Sequence, residues 1–313
     1  MTMTIAEIGR RIDDLDLWDE LSGYHWAIKP KGTALPYFCA LIKDFAPLVK
    51  ARIMLFEGWQ TFQDFIRLRM DRNFGFATMP MELAHYELLI LREEDPKVLR
   101  NDPGYVPVDI DEAATNLCVR MFWDVFGVMM RIEADRQLPL KYAGEKAIFA
   151  RVEGPDGQWR DEPLPIPDIR PHVEHIILPP DDVKIAKDLP FVQEESIEVD
   201  FRMARGIFTS EKRPRCAYAL VGLDGATGER VIWELATITP EYGLRGLWES
   251  MPRRLLKLLI SRGRIPGEIK ILSGRMFRML RPLCMNLPFK LSLHDSLPRI
   301  EAEIDKENPY ADS

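Results

Sequence analysis

The amino-acid sequence predicts an α/β protein in two parts, an N-terminal α+β domain and a C-terminal domain built on a mixed sheet. Strand-like and helix-like periodicities alternate along the 313 residues, a length that suits two domains better than one. A proline-rich stretch divides the chain: Pro163, Pro165, Pro167 and Pro171 stand within nine residues and oppose both helix and central strand. We therefore expect domains at 1–162 and 173–313, with a linker at about 162–172.

The composition indicates a globular protein of a reducing compartment. Its 46% hydrophobic and 29% charged content can fill a core in each half, and no apolar run is long enough to span a membrane. The segment Met1 to Asp19 lacks the basic and apolar regions of a secretory signal. The cysteines lie far apart in apolar runs, so we expect buried thiols without disulfides in a cytoplasmic protein: Cys39, Cys118, Cys216 and Cys284.

Periodicity assigns the N-terminal half to alternating strands and helices. Asp109 or Asp111, with Asp111 preferred, is predicted to cap a long helix that ends near Asp135, because an aspartate before an apolar-periodic run is a good N-cap. The other predicted helices are Ile5 to Leu21 and Thr61 to Met70, and the predicted strands are His25 to Ile28, Tyr37 to Ile42, Ala51 to Phe56, Tyr86 to Leu91, and a hairpin over Lys146 to Asp161. No motif in this half indicates a chemistry.

The C-terminal half shows a more distinctive order of elements. Three predicted strands come first: Ser196 to Arg202, Cys216 to Leu223, and Arg230 to Ile238. A helix over Leu244 to Ser261 follows, with a kink or restart expected at Pro252. The remaining elements are a strand at Glu268 to Leu272, a helix at Arg275 to Cys284, a strand at Phe289 to Leu293, and a last helix from Leu297 capped by Ser296.

This order resembles that of the RNase H-like fold. The strand Ile197 to Phe201 resembles the first strand of integrase and transposase cores, with Asp200 in its middle. Leu223 to Gly228 resembles their second hairpin, and Arg262 to Ile269 resembles the approach to their fourth strand. The chain as a whole is similar to a bacterial family of uncharacterised proteins, which join such a domain to an N-terminal α+β domain with a Pro-Gly-Tyr-x-Pro turn, here Pro103 to Pro107.

The resemblance implies an acidic site that this sequence matches only in part. RNase H-like enzymes hold two divalent metals between three or four carboxylates. Asp200 matches the first-strand acid and is the candidate metal ligand, whereas Ser273 and Gly274 stand where the fourth-strand acid would be. Glu249 and Glu301, on two of the helices, are further catalytic candidates. Asp224 belongs to an Asp-Gly turn and is expected to be structural.

These observations favour a non-catalytic binding or scaffold protein without a cofactor. One alternative is a metal-dependent nuclease that uses Mg²⁺ at the three candidate carboxylates. Other chemistries find less support. His172 and His175 lie in a segment that Pro171 predicts to be extended, which places the two imidazoles on opposite faces. His294 follows a strand and is expected to be a polar cap rather than a base.

Charge is distributed unevenly along the chain. The segment 202–290 holds 17 basic and 7 acidic residues, a local net charge of +10, whereas the first 170 residues hold 21 basic and 28 acidic residues. Three interpretations stay open: a solvated surface, a phosphate-binding surface for DNA or RNA, and a contact for a protein or membrane surface. The candidate binding residues are Arg253, Arg254, Lys257, Arg275, Arg278 and Arg281, with Arg245 and Arg262 nearby in sequence.

Overall fold

The computed structural model describes residues 3–43, 48–70, 82–142, 144, 146–168, 176–209 and 213–307. They form two compact units. The first contains the described residues of 3–67, 82–102 and 107–168, and the second contains those of 68–70, 103–106 and 176–307. Helices and mixed sheets occur together, which confirms the predicted α/β class. The division at 1–162 and 173–313 stays a prediction; residues 103–106 show that the second unit is not one continuous segment.

The first unit is a large sheet with helices on both faces. Its helices are α1 (Ile5–Asp14), α2 (Trp18–Leu21), α3 (Gly58–Met70, of which residues 68–70 are grouped with the second unit), α4 (Glu112–Ala134) and α5 (Leu138–Tyr142). Its strands are β1 (His25–Lys29), β2 (Tyr37–Lys43), β3 (Val49–Glu57), β4 (His85–Leu91), β5 (Lys97–Asn101), β6 (Val108–Asp109), β7 (Ala147–Glu153) and β8 (Trp159–Pro165).

The strands of this unit lie in the order β6-β5-β4-β3-β2-β1-β7-β8. Neighbouring strands are antiparallel except β1 and β7, which run parallel. Apolar side chains of α1 and α4, such as Ile8 and Phe122, pack with one face of the sheet in the main core. On the other face, α3 contributes Phe62 and Phe65, which stack on Phe38 and Phe56 respectively.

Two predictions for this unit require correction. The helix expected over Ile5 to Leu21 is interrupted: α1 ends at Asp14, and Asp16 has a φ of 47°, a left-handed conformation that a helix cannot accommodate. The expected linker at 162–172 begins too early, because β8 continues to Pro165. Its prolines are tolerated there because β8 is an edge strand, where a missing N–H breaks no ladder.

The second unit contains the predicted three strands, followed by alternating helices and strands. Its strands are β9 (Phe191–Phe208), β10 (Arg215–Asp224), β11 (Arg230–Ala236), β12 (Ile265–Ile271) and β13 (Lys290–Leu293). Its helices are α6 (Pro180–Lys187), α7 (Gly243–Arg262), α8 (Gly274–Cys284) and α9 (Pro298–Glu307). The helix α6 was not among the predicted elements, and β9 is eleven residues longer than the predicted strand Ser196 to Arg202.

The sheet of the second unit has the order β11-β10-β9-β12-β13. The central strand β9 is antiparallel to β10 and parallel to β12. Beyond them, β11 is antiparallel to β10, and β13 is parallel to β12. Because β9 is long, its first half pairs mainly with β12 and its second half with β10, so one strand holds the two parts of the sheet together.

Local backbone geometry explains the segment between α7 and β12. The helix α7 is continuous through Pro252, so the expected restart is absent, and it ends at Gly263 with a φ of 76°. Gly267 allows β9 and β12 to approach closely, because a Cβ there would lie 2.0 Å from the backbone oxygen of Gln193. The motif that resembled an approach to a fourth strand therefore has a structural basis in its glycines.

The four cysteines are unpaired, as expected. Cys39, Cys118 and Cys216 are buried, and Cys284 is partly exposed. Burial raises the pKa of Cys118 to about 12, so its thiol stays protonated and acts as a small apolar side chain.

Asp124 is a destabilising carboxylate on α4. Its buried Oδ2 has no hydrogen-bond partner among the described residues. Burial raises the pKa of Asp124 to about 7, and the nearby Arg120 is already bound to Glu153 at 2.6 Å. The folded state therefore binds the proton of the Asp124 carboxyl more tightly than the unfolded state does. As a consequence, Asp124 lowers the free energy of unfolding progressively as the pH rises from about 4 to about 7.

We therefore expect Asp124→Asn to stabilise the protein at high pH. Above the raised pKa the gain in free energy of unfolding is about 2–4 kcal/mol, and it disappears below about pH 3, where the carboxyl is protonated in both states. Urea unfolding at several pH values measures this difference. The exposed Glu133→Gln on the same helix is the control and should show no such pH dependence. An equal effect of both variants would contradict the assignment.

Candidate functional site

The central strand β9 carries two carboxylates on one face of the sheet. Glu198 and Asp200 are two residues apart in regular strand, so their side chains point the same way. The Glu198 carboxylate accepts hydrogen bonds from the backbone N–H groups of Arg299 and Ile300, at 2.9 and 3.1 Å. Glu198 thus compensates the partial positive charge at the N-terminus of α9, which is a structural role.

Asp200 is the predicted first-strand acid, and it is largely buried. A guanidinium nitrogen of Arg202, two residues further along β9, lies 3.7 Å from its carboxylate. The following residue, Phe201, points to the opposite face and meets the Trp248 ring of α7 edge-on at 4.9 Å. The Asp200 carboxylate is therefore a largely buried group on the central strand, with a cation beside it.

Ser273 follows β12, the fourth strand of this unit, at the position where the resemblance implies an acidic residue. It is the N-cap of α8, and its hydroxyl oxygen accepts from the backbone N–H groups of Arg275 and Met276 at 3.1 and 3.3 Å. The sulfur of Met276 lies 3.3 Å from the backbone nitrogen of Phe201, so this helix end abuts β9 next to Asp200. Ser273 is therefore a buried structural cap.

The remaining acidic candidates lie on two helices. Glu249 is on α7 and accepts a hydrogen bond from Arg245 at 2.9 Å. Glu301 is on α9 and accepts a hydrogen bond from the backbone N–H of Leu297, the residue before this helix, at 3.2 Å. Throughout the described residues, no group of three or more His, Cys, Asp or Glu side chains is placed to hold a metal. The assignment of Asp200, Glu249 and Glu301 as a site thus stays a prediction.

The basic candidates divide into two groups. Arg254 of α7 forms an ion pair with Glu234 of β11, and the guanidinium of Arg275 lies 3.8 Å from the centre of the Trp248 ring. The other four are exposed to solvent on the outer sides of α7 and α8: Arg253, Lys257, Arg278 and Arg281.

Sequence reasoning missed Glu195, which joins three elements of the second unit. This β9 residue accepts hydrogen bonds from Arg262 and Arg264 at 2.9 Å each. Burial raises its pKa, but the two arginines outweigh burial, and the pKa of Glu195 lies below its usual range. The charged ends of α7 and β12 are thereby fixed to the beginning of the central strand. A signal was available: a glutamate directly before the predicted strand Ser196 to Arg202, and two arginines flanking the glycine that ends α7.

Other residues singled out in the sequence have local roles. Asp224 accepts from the backbone N–H groups of Ala226 and Thr227 at 2.9 and 2.8 Å, as expected for a turn residue, and these bonds lower its pKa. His294 places Nε2 2.9 Å from the Ser292 hydroxyl at the end of β13. His172 and His175 lie outside the described residues. The last helix begins at Pro298, one residue later than expected, so Ser296 does not take the predicted cap position.

Comparison with known proteins identifies one similarity. Residues 182–306 match the family model described as a domain of unknown function, DUF6930. The match covers the sheet and helices of the second unit from α6 to α9 and supports an uncharacterised domain family for this part of the chain. No curated protein and no solved structure matches the chain. None of the helices in the described part of the chain has both the length and the apolar character needed to cross a membrane.

We expect Ser273→Ala to lower the free energy of unfolding by about 1 kcal/mol, because two N–H groups of α8 lose their acceptor. Urea denaturation measures the change. Ser261→Ala is a matched control, since that hydroxyl bonds only a carbonyl of its own helix, Leu258, and the loss should stay within about 0.5 kcal/mol. Equal losses in the two variants would contradict the capping role.

Glu195→Gln should destabilise the second unit by about 2 kcal/mol at pH 7, because it removes charge-assisted hydrogen bonds to two arginines. The folded-state pKa of Glu195 is lowered, so its stabilisation is complete above the usual pKa of a glutamate and is lost as the pH falls through the folded value. The difference between wild type and variant should shrink in acid. Glu194→Gln, an exposed neighbour, should change little, and a pH-independent difference for Glu195→Gln would refute the ion-pair account.

Proposed function

We propose that residues 176–307 form an RNase H-like domain that does not carry out two-metal hydrolysis and acts as a binding or scaffold module. The order of the sheet supports the fold. Three antiparallel strands are followed by two strands parallel to the first, and α7 and α8 make the connections to the parallel strands. The resemblance in sequence implies this strand order, with Asp200 on the central strand.

The capping role of Ser273 is the observation that carries the non-catalytic interpretation. Hydrolysis by two divalent metals requires several carboxylates, since Mg²⁺ prefers charged oxygen ligands and the metals must be held close together. Ser273 supplies a neutral oxygen, and that oxygen already accepts two backbone hydrogen bonds. A buried cap at this position stabilises α8, which gives the serine a reason to be there that has nothing to do with a metal.

The partners of the other acids support the same conclusion. Asp200 has Arg202 beside it, and Glu249 is hydrogen-bonded to Arg245. A guanidinium next to a carboxylate competes with a metal ion for the same charge. Glu301 accepts a hydrogen bond from the backbone N–H of Leu297, just before its own helix. The domain thus retains the framework of a nuclease fold while its acids serve the structure.

Incubation with labelled substrates tests this proposal. Full-length protein is mixed with DNA, RNA and hybrid duplexes in the presence of Mg²⁺ or Mn²⁺, beside Asp200→Asn and the exposed control Glu94→Gln. We expect no cleavage above background by any of the three proteins. Cleavage by wild type and by Glu94→Gln, but not by Asp200→Asn, would contradict the proposal and favour the alternative, a metal-dependent nuclease that uses Asp200, Glu249 and Glu301.

A further inference from the structure

The outer sides of α7 and α8 carry exposed cations in regular rows. On α7, Arg253 and Lys257 are four residues apart and therefore share one face of the helix. On α8, Arg278 and Arg281 are three residues apart and also share a face. The opposite sides of both helices are buried, so these rows are the surfaces that α7 and α8 present to solvent.

These four cations differ from the other basic residues of the two helices. Arg245, Arg254 and Arg262 are each held by a glutamate: Glu249, Glu234 and Glu195. In the described part of the chain, no carboxylate pairs with Arg253, Lys257, Arg278 or Arg281. The acidic side chains of this unit therefore neutralise the inner and lateral arginines and leave the outer rows charged.

The topology brings the two rows side by side. Since β11, β12 and β13 all run parallel to β9, the helices that connect them run in one common direction. Arg275 of α8 lies over the Trp248 ring of α7, and this contact defines how far the two helices are shifted along their axes. At 1.5 Å per residue, Arg278 and Arg281 lie about 5 and 9 Å beyond that contact, and Arg253 and Lys257 about 8 and 14 Å beyond it. The four cations form one band across neighbouring helices.

We propose that this basic band binds the sugar-phosphate backbone of a duplex nucleic acid without reading its bases. The inference rests on the proposed function, in which the domain binds rather than cleaves. A duplex offers closely spaced phosphates along two strands, which two parallel rows of cations on rigid helices can contact together. Three of the four residues are arginines, whose planar guanidinium groups suit phosphate oxygens.

Other polyanions fit this surface less well. A membrane-bound helix needs an apolar side to insert, but the apolar sides of α7 and α8, including Leu255 and Met279, are buried in the unit. Single strands are held by rows of stacking aromatic rings, whereas the outer side of α8 offers only Phe277.

Fluorescence anisotropy with full-length protein tests the proposal. The probes are labelled DNA and RNA duplexes of about 20 base pairs, titrated between about 50 and 200 mM KCl. Four phosphate contacts predict a slope of log affinity against log salt of about −3.6, which weakens binding by about 100-fold over this range. Both duplexes should bind, because each presents closely spaced phosphates along two strands.

Two double variants of equal charge isolate the surface. Arg253→Glu with Arg278→Glu should weaken duplex binding by about 30-fold or more and reduce the salt slope by about 2, because two phosphate contacts are lost. Arg92→Glu with Lys97→Glu changes the net charge equally on exposed residues of the first unit and should leave affinity within about 3-fold. Thermal unfolding of each variant verifies that it is folded.

Three outcomes would overturn the inference: no duplex binding at the lowest salt, equal weakening by both double variants, or tighter binding to polyglutamate or phosphatidylserine vesicles than to duplex. Running the same samples with Mg²⁺ on denaturing gels separates this inference from the proposed function. Cleaved duplex would overturn the non-catalytic interpretation and leave the binding result standing, whereas intact duplex without binding would overturn only the inference made here.

Discussion

Hydrogen bonding along both edges of β9 is the interaction on which the second unit depends. The strand pairs with β12 through its first half and with β10 through its second half, so the antiparallel and parallel parts of the sheet meet on it. Its alternating side chains separate two environments. Val199 and Phe201 contribute to the buried core, while Glu198 and Asp200 occupy the other face. A binding function of this unit would therefore use the face with Glu198 and Asp200 or the helices.

The pairing of charges within the second unit then determines which charged side chains are available to bind a partner. Glu195 holds two arginines at the beginning of β9, and Glu198 holds the first turn of α9. These contacts convert acids of the central strand into structural elements, and Ser273 does the same with a hydroxyl at the start of α8. Among the described residues, the cations of α7 and α8 that pair with no carboxylate lie on the outer rows of these two helices. An uneven charge distribution in the sequence thus becomes an exposed basic band.

The order of elements in the second unit was predictable because each amphipathic stretch has a clear period. The strand β10 and the helix α8 came within two residues of their observed bounds. The length of β9 was not predictable: its first residues, Phe191 to Glu195, are mixed in polarity, and their strand conformation depends on pairing with β12. The short helix α6 was missed although Pro180 at its start and two aspartates in its first turn are typical helix-start signals.

The candidate site was predictable only as positions, because partners come from tertiary structure. Sequence spacing placed Asp200 in a strand and Ser273 after one, but not the cap that Ser273 forms. It likewise grouped six basic residues as one surface, whereas the ion pair of Arg254 with Glu234 joins residues 20 positions apart and removes Arg254 from it. Such pairs follow from the crossing of α7 over β11, which no local pattern encodes.

The central claim is that the acids around Asp200 serve the structure rather than a metal pair. Titration of isotopically labelled full-length protein with Mn²⁺, followed by amide spectra, tests it most directly, since bound Mn²⁺ broadens nearby resonances. The account predicts no selective broadening of residues 199–201 or 273–276 at Mn²⁺ concentrations that leave exposed acidic surfaces unaffected. Selective, saturable broadening of both segments, abolished by Asp200→Asn, would contradict it.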